Sequence, residues 1–112
     1  MGNKKKELRR AFRTAVFQRD KYTCRGCGFK TTPEKAEEEL DAHHIVDRNE
    51  MPSGGYIPQN GISLCEHCHV KAEVFHSSKG KDFVKGFHPD DLYKLIGSSR
   101  HEAVRLSKKY LG

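Results

Sequence analysis

Near the start of the chain apolar residues recur at spacings of three and four. Leu8, Ala11, Phe12, Ala15 and Val16 make one face of a predicted helix. Lys5, Lys6, Arg9, Arg10 and Arg13 fall largely off that face, so the helix carries a basic exposed side. Residues 30–39 are polar and read as a loop or a short solvated helix opened by Thr32 and Pro33. Residues 40–46 read as a strand, and the short apolar run at 60–64 as a second one that can pair with it. Between them lie Pro52, Ser53, Gly54, Gly55 and Pro58, too many breakers for an element. A helix-like segment follows that places His69 and Glu73 four apart on one face. Beyond Ser77 comes a flexible connector, with Phe83, Val84 and Phe87 as candidates to return to the core. A short helix over residues 89–97 ends at Gly97. Ser99 and Glu102 frame a capping box for a last amphipathic helix carrying Ala103, Val104, Leu106, Tyr110 and Leu111. Packing is the default for both tail helices; the alternative is a self-association surface that would make a homodimer.

The chain has 112 residues, 35% hydrophobic and 32% charged, which suits one domain with a thin core in need of a staple. The expected organisation is a single domain over 1–112: a basic helix over 1–21, a central core over 22–76 and a helical extension over 77–112. The staple is sought in Cys24-Arg25-Gly26-Cys27 and Cys65-Glu66-His67-Cys68. Two C-x-x-C knuckles read as one tetrahedral four-thiolate zinc site more readily than as disulfides. The N-terminus lacks the apolar run of a signal peptide, and no apolar stretch is long enough to cross a bilayer, so the setting expected is cytoplasmic, with no membrane partner.

Charge is uneven. Residues 1–21 hold eight basic and two acidic residues, which accounts for the whole formal net charge of +6, while the remainder sums to zero. A local excess of this kind points to contact with a polyanion, and nucleic acid is the obvious candidate.

The densest chemistry is Asp41-Ala42-His43-His44, two adjacent imidazoles and a carboxylate in an apolar strand. Histidine titrates near neutrality, at about 6.5, so it can take a proton or bind a metal as the neutral ring. Together with Asn60 and His69, framed by the four cysteines, the pair resembles the HNH nucleases of the ββα-metal fold, in the subgroup braced by a four-cysteine zinc site. The resemblance covers roughly residues 12–76. It implies an α+β fold in which a small ββα-metal domain, with its zinc knuckle pair, is flanked by an N-terminal basic helix and C-terminal helices. It implies a bacterial or phage-encoded, metal-dependent DNA endonuclease. His44 would be the general base, and Asn60 would orient that imidazole directly or through its backbone. His43 and His69 would hold one divalent cation, with Glu73 or else Asp41 completing the site; magnesium, manganese, nickel and zinc all suit such donors. Because strand side chains alternate, a swapped role for His43 and His44 also stays open. His67, His76, His88 and His101 are expected to be bystanders. The rival reading is a non-catalytic zinc module that only binds nucleic acid, which would not need His43, His44, Asn60 and His69 together.

Overall fold

The computed structural model describes residues 2–109; Tyr110 and Leu111, expected on the last helix, lie outside them. Helix α1 spans Gly2–Arg19, with Phe12 and Val16 buried as its pattern requires. The face is rotated from expectation, since Ala11 is exposed and Phe17 is buried against the core. The helix stops because Lys21 and Tyr22 both adopt left-handed backbone, at φ 54° and 57°, and the Tyr22 N–H returns to the Phe17 carbonyl. A short helix α2, Ala36–Glu39, occupies the polar insertion.

Strands β1, Asp41–His44, and β2, Gly61–Leu64, pair antiparallel with His43 opposite Ile62 and His44 opposite Gly61. The first strand is shorter than its apolar pattern, because Ile45 and Val46 turn into the core as the chain leaves the sheet. The breaker-rich stretch between the strands is more ordered than expected: it forms 3₁₀ turns at Arg48–Glu50 and Pro58–Asn60, and between them a tight turn over Pro52–Gly55 in which Ser53 and Gly54 take left-handed backbone, at φ 56° and 79°. Helix α3, Glu66–Ser77, follows β2 at once and completes a ββα unit. Helices α4, Pro89–Leu95, and α5, Arg100–Lys109, close the order. No helix among the described residues is long and apolar enough to cross a membrane.

Helix α1 packs across β2 at Gly61, where an added Cβ would lie 2.6 Å from both Phe12 and Val16, so only glycine admits the helix this close. Asp20, buried at the end of that helix, fixes the join. Its carboxylate accepts from Arg19, Arg25 and the Ser63 N–H, and Arg19 also donates to the Pro58 and Gly61 carbonyls. Burial alone would raise the Asp20 pKa, but Arg19 and the Ser63 N–H hold it below its ordinary value. Arg19 is therefore an internal strut and is not part of the exposed basic side. In the tail, Leu92 and Tyr93 of α4 are buried, whereas Phe83 stays exposed with its ring edge against His88, so it does not return to the core. His88 itself caps α4: its Nδ1 accepts from the Asp90 N–H while the Asp91 carboxylate accepts from the His88 N–H.

Candidate active site

The alternation of β1 sends its two histidines to opposite sides. His43 is buried and faces α3, its ring centroid 5.1 Å from those of His69 and His76. His44 faces α1, stacked on Phe12 at 4.4 Å and 21°, with the Tyr56 ring edge-on at 5.1 Å. Both nevertheless line one cleft of about 300 Å³, with His69, Glu73 and Arg48, because the strand is short and its outer edge is open.

On the α3 side, ligand atoms of His43, His69 and Glu73 all lie within 4.8 Å of one another. Glu73 Oε1 is 3.1 Å from His69 Nε2 and 3.7 Å from His43 Nδ1. The four-residue spacing on one helix brings the carboxylate over the imidazole, and the register of β1 brings His43 to both. Asp41 shares the face of His43, but its carboxylate meets the other nitrogen of His69, Nδ1, at 3.2 Å. Burial pushes the His43 imidazole below its ordinary pKa, and His43 beside Glu73 holds that carboxyl down to about 2. A neutral ring and an ionised carboxylate are the states a cation requires.

On the α1 side, His44 Nε2 is shut off from solvent with no hydrogen-bond partner, which leaves Nδ1 as the nitrogen open to the cleft. Burial, reinforced by the Arg48 guanidinium, depresses the imidazole to about 4. The ring is therefore neutral at physiological pH.

The four cysteines form a second cluster, with every Sγ within 4.8 Å of the others and none bridged. Cys27 Sγ and Cys65 Sγ are 3.7 Å apart. That is far beyond a disulfide bond of about 2.05 Å and matches the roughly 3.8 Å edge of a tetrahedron built on Zn–S bonds of about 2.3 Å. The cluster has the form of a four-thiolate zinc site. Backbone N–H groups of Cys65, Cys27 and Gly26 outweigh burial and bring the Cys24 thiol down to about 7, so thiolate is accessible before any ion arrives. The knuckle needs Gly26, where a Cβ would stand 2.9 Å from Cys68 Sγ.

Residues 24–75 match the family model of the HNH endonuclease. This stretch is an HNH domain. No solved structure matches the chain. The HNH segment begins at the first thiolate and ends just past Glu73, so all four cysteines, the histidine pair, Asn60 and His69 fall inside it, while α1 and the tail helices fall outside.

Within the HNH domain, Asn60 does not bond the His44 imidazole as one form of the expectation required. Its amide oxygen accepts from the Val46 N–H at 3.1 Å and the Tyr93 hydroxyl at 2.7 Å, and its amide nitrogen donates to the carbonyls of Val46 and Gly55. Two acceptor and two donor positions are thus filled, and none remains for His44. Through its backbone, the Asn60 carbonyl takes the Ile45 N–H, next to His44.

Of the basic residues, Arg9 and Arg13 line an open cleft of about 570 Å³ that also contains His44 and His69. Arg13 faces Glu37 as an ion pair, and Lys5, Lys6 and Arg10 are solvent-exposed along the helix. Two residues escaped the sequence reading. Arg48 lines both clefts and donates to the Tyr56 hydroxyl at 3.0 Å. His76, expected to be a bystander, packs against His43 and bonds the His44 carbonyl. For Arg48 the signal was its place directly after the strand; for His76 it was its spacing of seven from His69 on one helix face.

Proposed function

We propose that the chain is a metal-dependent DNA endonuclease. The observation that carries this reading is the cleft-facing imidazole of His44 beside the three-ligand cluster formed by His43 of β1 with His69 and Glu73 of α3. In the reaction His44 Nδ1 takes a proton from water, whose oxygen bonds to phosphorus while the P–O3′ bond breaks; the leaving O3′ takes a proton from solvent, giving a 5′-phosphate and a 3′-hydroxyl. A divalent cation held by His43, His69 and Glu73 would supply Lewis-acid stabilisation of the charge on the leaving oxygen. Magnesium, manganese, nickel and zinc all remain candidates for it. Asp41 on the outer nitrogen of His69 turns Nε2 toward the ligand cluster, the usual use of a carboxylate behind a ligating imidazole. Arg9, Arg48 and the exposed Lys5, Lys6 and Arg10 position the phosphate backbone, and Arg13 joins them once DNA competes with Glu37. We assign Asn60 to the loop that carries the base, the four cysteines to a structural zinc, and residues 1–112 to one functional unit.

Cleavage of supercoiled plasmid tests the reading. His44→Ala should cut about a hundredfold more slowly or worse, with DNA affinity unchanged and no rescue at high ion concentration. His69→Ala should also fail to cut, but recover in part as the ion is raised. If both variants match the parent, the chain is a zinc module that binds nucleic acid without cutting it.

A further inference from the structure

We propose that His76 is a positioning residue for DNA cleavage, holding the backbone of His44 and the ring of His43 in fixed relation; the inference rests on the nuclease reading above. Among the described residues the sheet has two strands, which leaves one edge of β1 unpaired there. Ser63 donates its N–H to Asp20 and its carbonyl accepts from the Arg25 N–H, while the Gly61 carbonyl accepts from Arg19. The pairs Ala42 with Ser63 and His44 with Gly61 are therefore the ones that exchange no ladder bonds. The carbonyl of His44 points to the open edge, where β2 offers it nothing. A part-buried carbonyl on a strand edge without a neighbour takes its donor from a side chain or from water.

His76 supplies it, with Nε2 2.9 Å from the His44 carbonyl oxygen. A carbonyl only accepts, so that nitrogen carries the proton. Two turns of α3 separate His76 from His69, which puts it on the helix face that bears the ligand cluster. Its ring lies 27° from the plane of His43 at 5.1 Å. One side chain thus touches the backbone of the base and the ring of a ligand, while standing outside the three-residue ligand set. Phe12 and Tyr56 grip the His44 ring from the far side, and His76 holds the peptide that carries it. If that peptide turns, the base nitrogen moves relative to the cation site, and a displacement of about 1 Å can reduce rate about a hundredfold.

The test uses the full zinc-loaded chain with His76→Phe, His76→Gln and His76→Ala, checked for zinc content and melting, with kcat, KM and the manganese midpoint measured on plasmid. Phenylalanine keeps the stacking face and loses the donor; the glutamine amide restores a donor near the place of Nε2. The expected result is a kcat about tenfold lower or worse for phenylalanine and alanine, with KM and the manganese midpoint within about threefold of the parent, and most of the loss recovered by glutamine. Parent-like kcat in the phenylalanine and glutamine variants overturns the inference, and so does a deficit that vanishes at saturating manganese, which would make His76 a ligand. If the parent itself cuts under no ion, the nuclease reading falls and takes this inference with it; if the parent cuts and the variants cut equally, this inference alone falls.

Discussion

The base role proposed for His44 requires an unprotonated ring with one nitrogen open to solvent, and the packing of His44 favours both conditions. Its ring packs face-on against Phe12 and edge-on against Tyr56, and burial, with Arg48 adding positive charge, drives protonation down to about 4. Since the folded pKa is depressed below the unfolded value of about 6.5, the unfolded chain binds the extra proton first. Stability is full above about 6.5 and is lost progressively as pH falls to about 4, where the loss levels off. Relative to a non-titrating His44→Gln variant, the parent should therefore lose melting temperature across that window, and its imidazole resonances should titrate near 4. A midpoint at 6 or above would contradict the burial. The sequence showed the adjacent pair, and strand alternation already implied opposite faces. The depth of His44 was not legible, because Phe12 and Tyr56 reach it from separate elements whose docking no local pattern encodes.

At the scale of elements, one buried amide ties the two ends of the loop between the strands to each other and to the tail. Asn60 is fully buried and joins β2 to Val46, Gly55 and Tyr93 of α4. Removing it in Asn60→Ala strands the Val46 N–H and C=O and the Tyr93 hydroxyl away from water. Chemical denaturation should show a loss of about 2–4 kcal/mol, given about 1–3 kcal/mol for a single buried group left unpaired. Tyr93→Phe removes one partner of an oxygen that keeps another, so it should cost about 1 kcal/mol. Equal effects would mean that Tyr93, and not the amide, secures the loop. The breakers in this stretch correctly excluded a long helix or strand. They could not show how the resulting turns are pinned together, because the Asn60 amide that bonds Val46 and Gly55 is itself held by Tyr93, from a helix far along the chain. For the same reason Asn60 was legible as important, while its partner was not.

At the scale of the whole molecule, the thin apolar fraction foresaw a staple, and the knuckle spacing located it. The thiolates join the turn after α1 to the start of α3, and the Arg25 N–H bonded to Ser63 ties that turn to β2. Binding free energy at such a site is folding free energy. Cys65→Ser should lose zinc and melt well below the parent, and a chelator should have the same effect on the parent; full zinc content with unchanged melting would refute the brace.

The N-terminal helix acts at the same scale, although it lies outside the HNH segment. Phe12 supports the His44 ring while Arg9 and Arg13, three residues before Phe12 and one after it, line the same cleft. One helix thus brings the basic side chains and the His44 ring to one cleft, which periodicity and charge counts each showed only in part. Replacing Lys5, Lys6, Arg9 and Arg10 by glutamine should weaken DNA binding and lower the salt slope by about one for each phosphate that is no longer neutralised. Cleavage of DNA at saturating concentration should change far less, since none of the four touches His44 or the ligand cluster through a hydrogen bond. Arg13→Gln should change the slope least, because Glu37 already faces that guanidinium and DNA must displace it. A slope unchanged by the fourfold substitution would leave α1 as a packing element that serves the site only through Phe12.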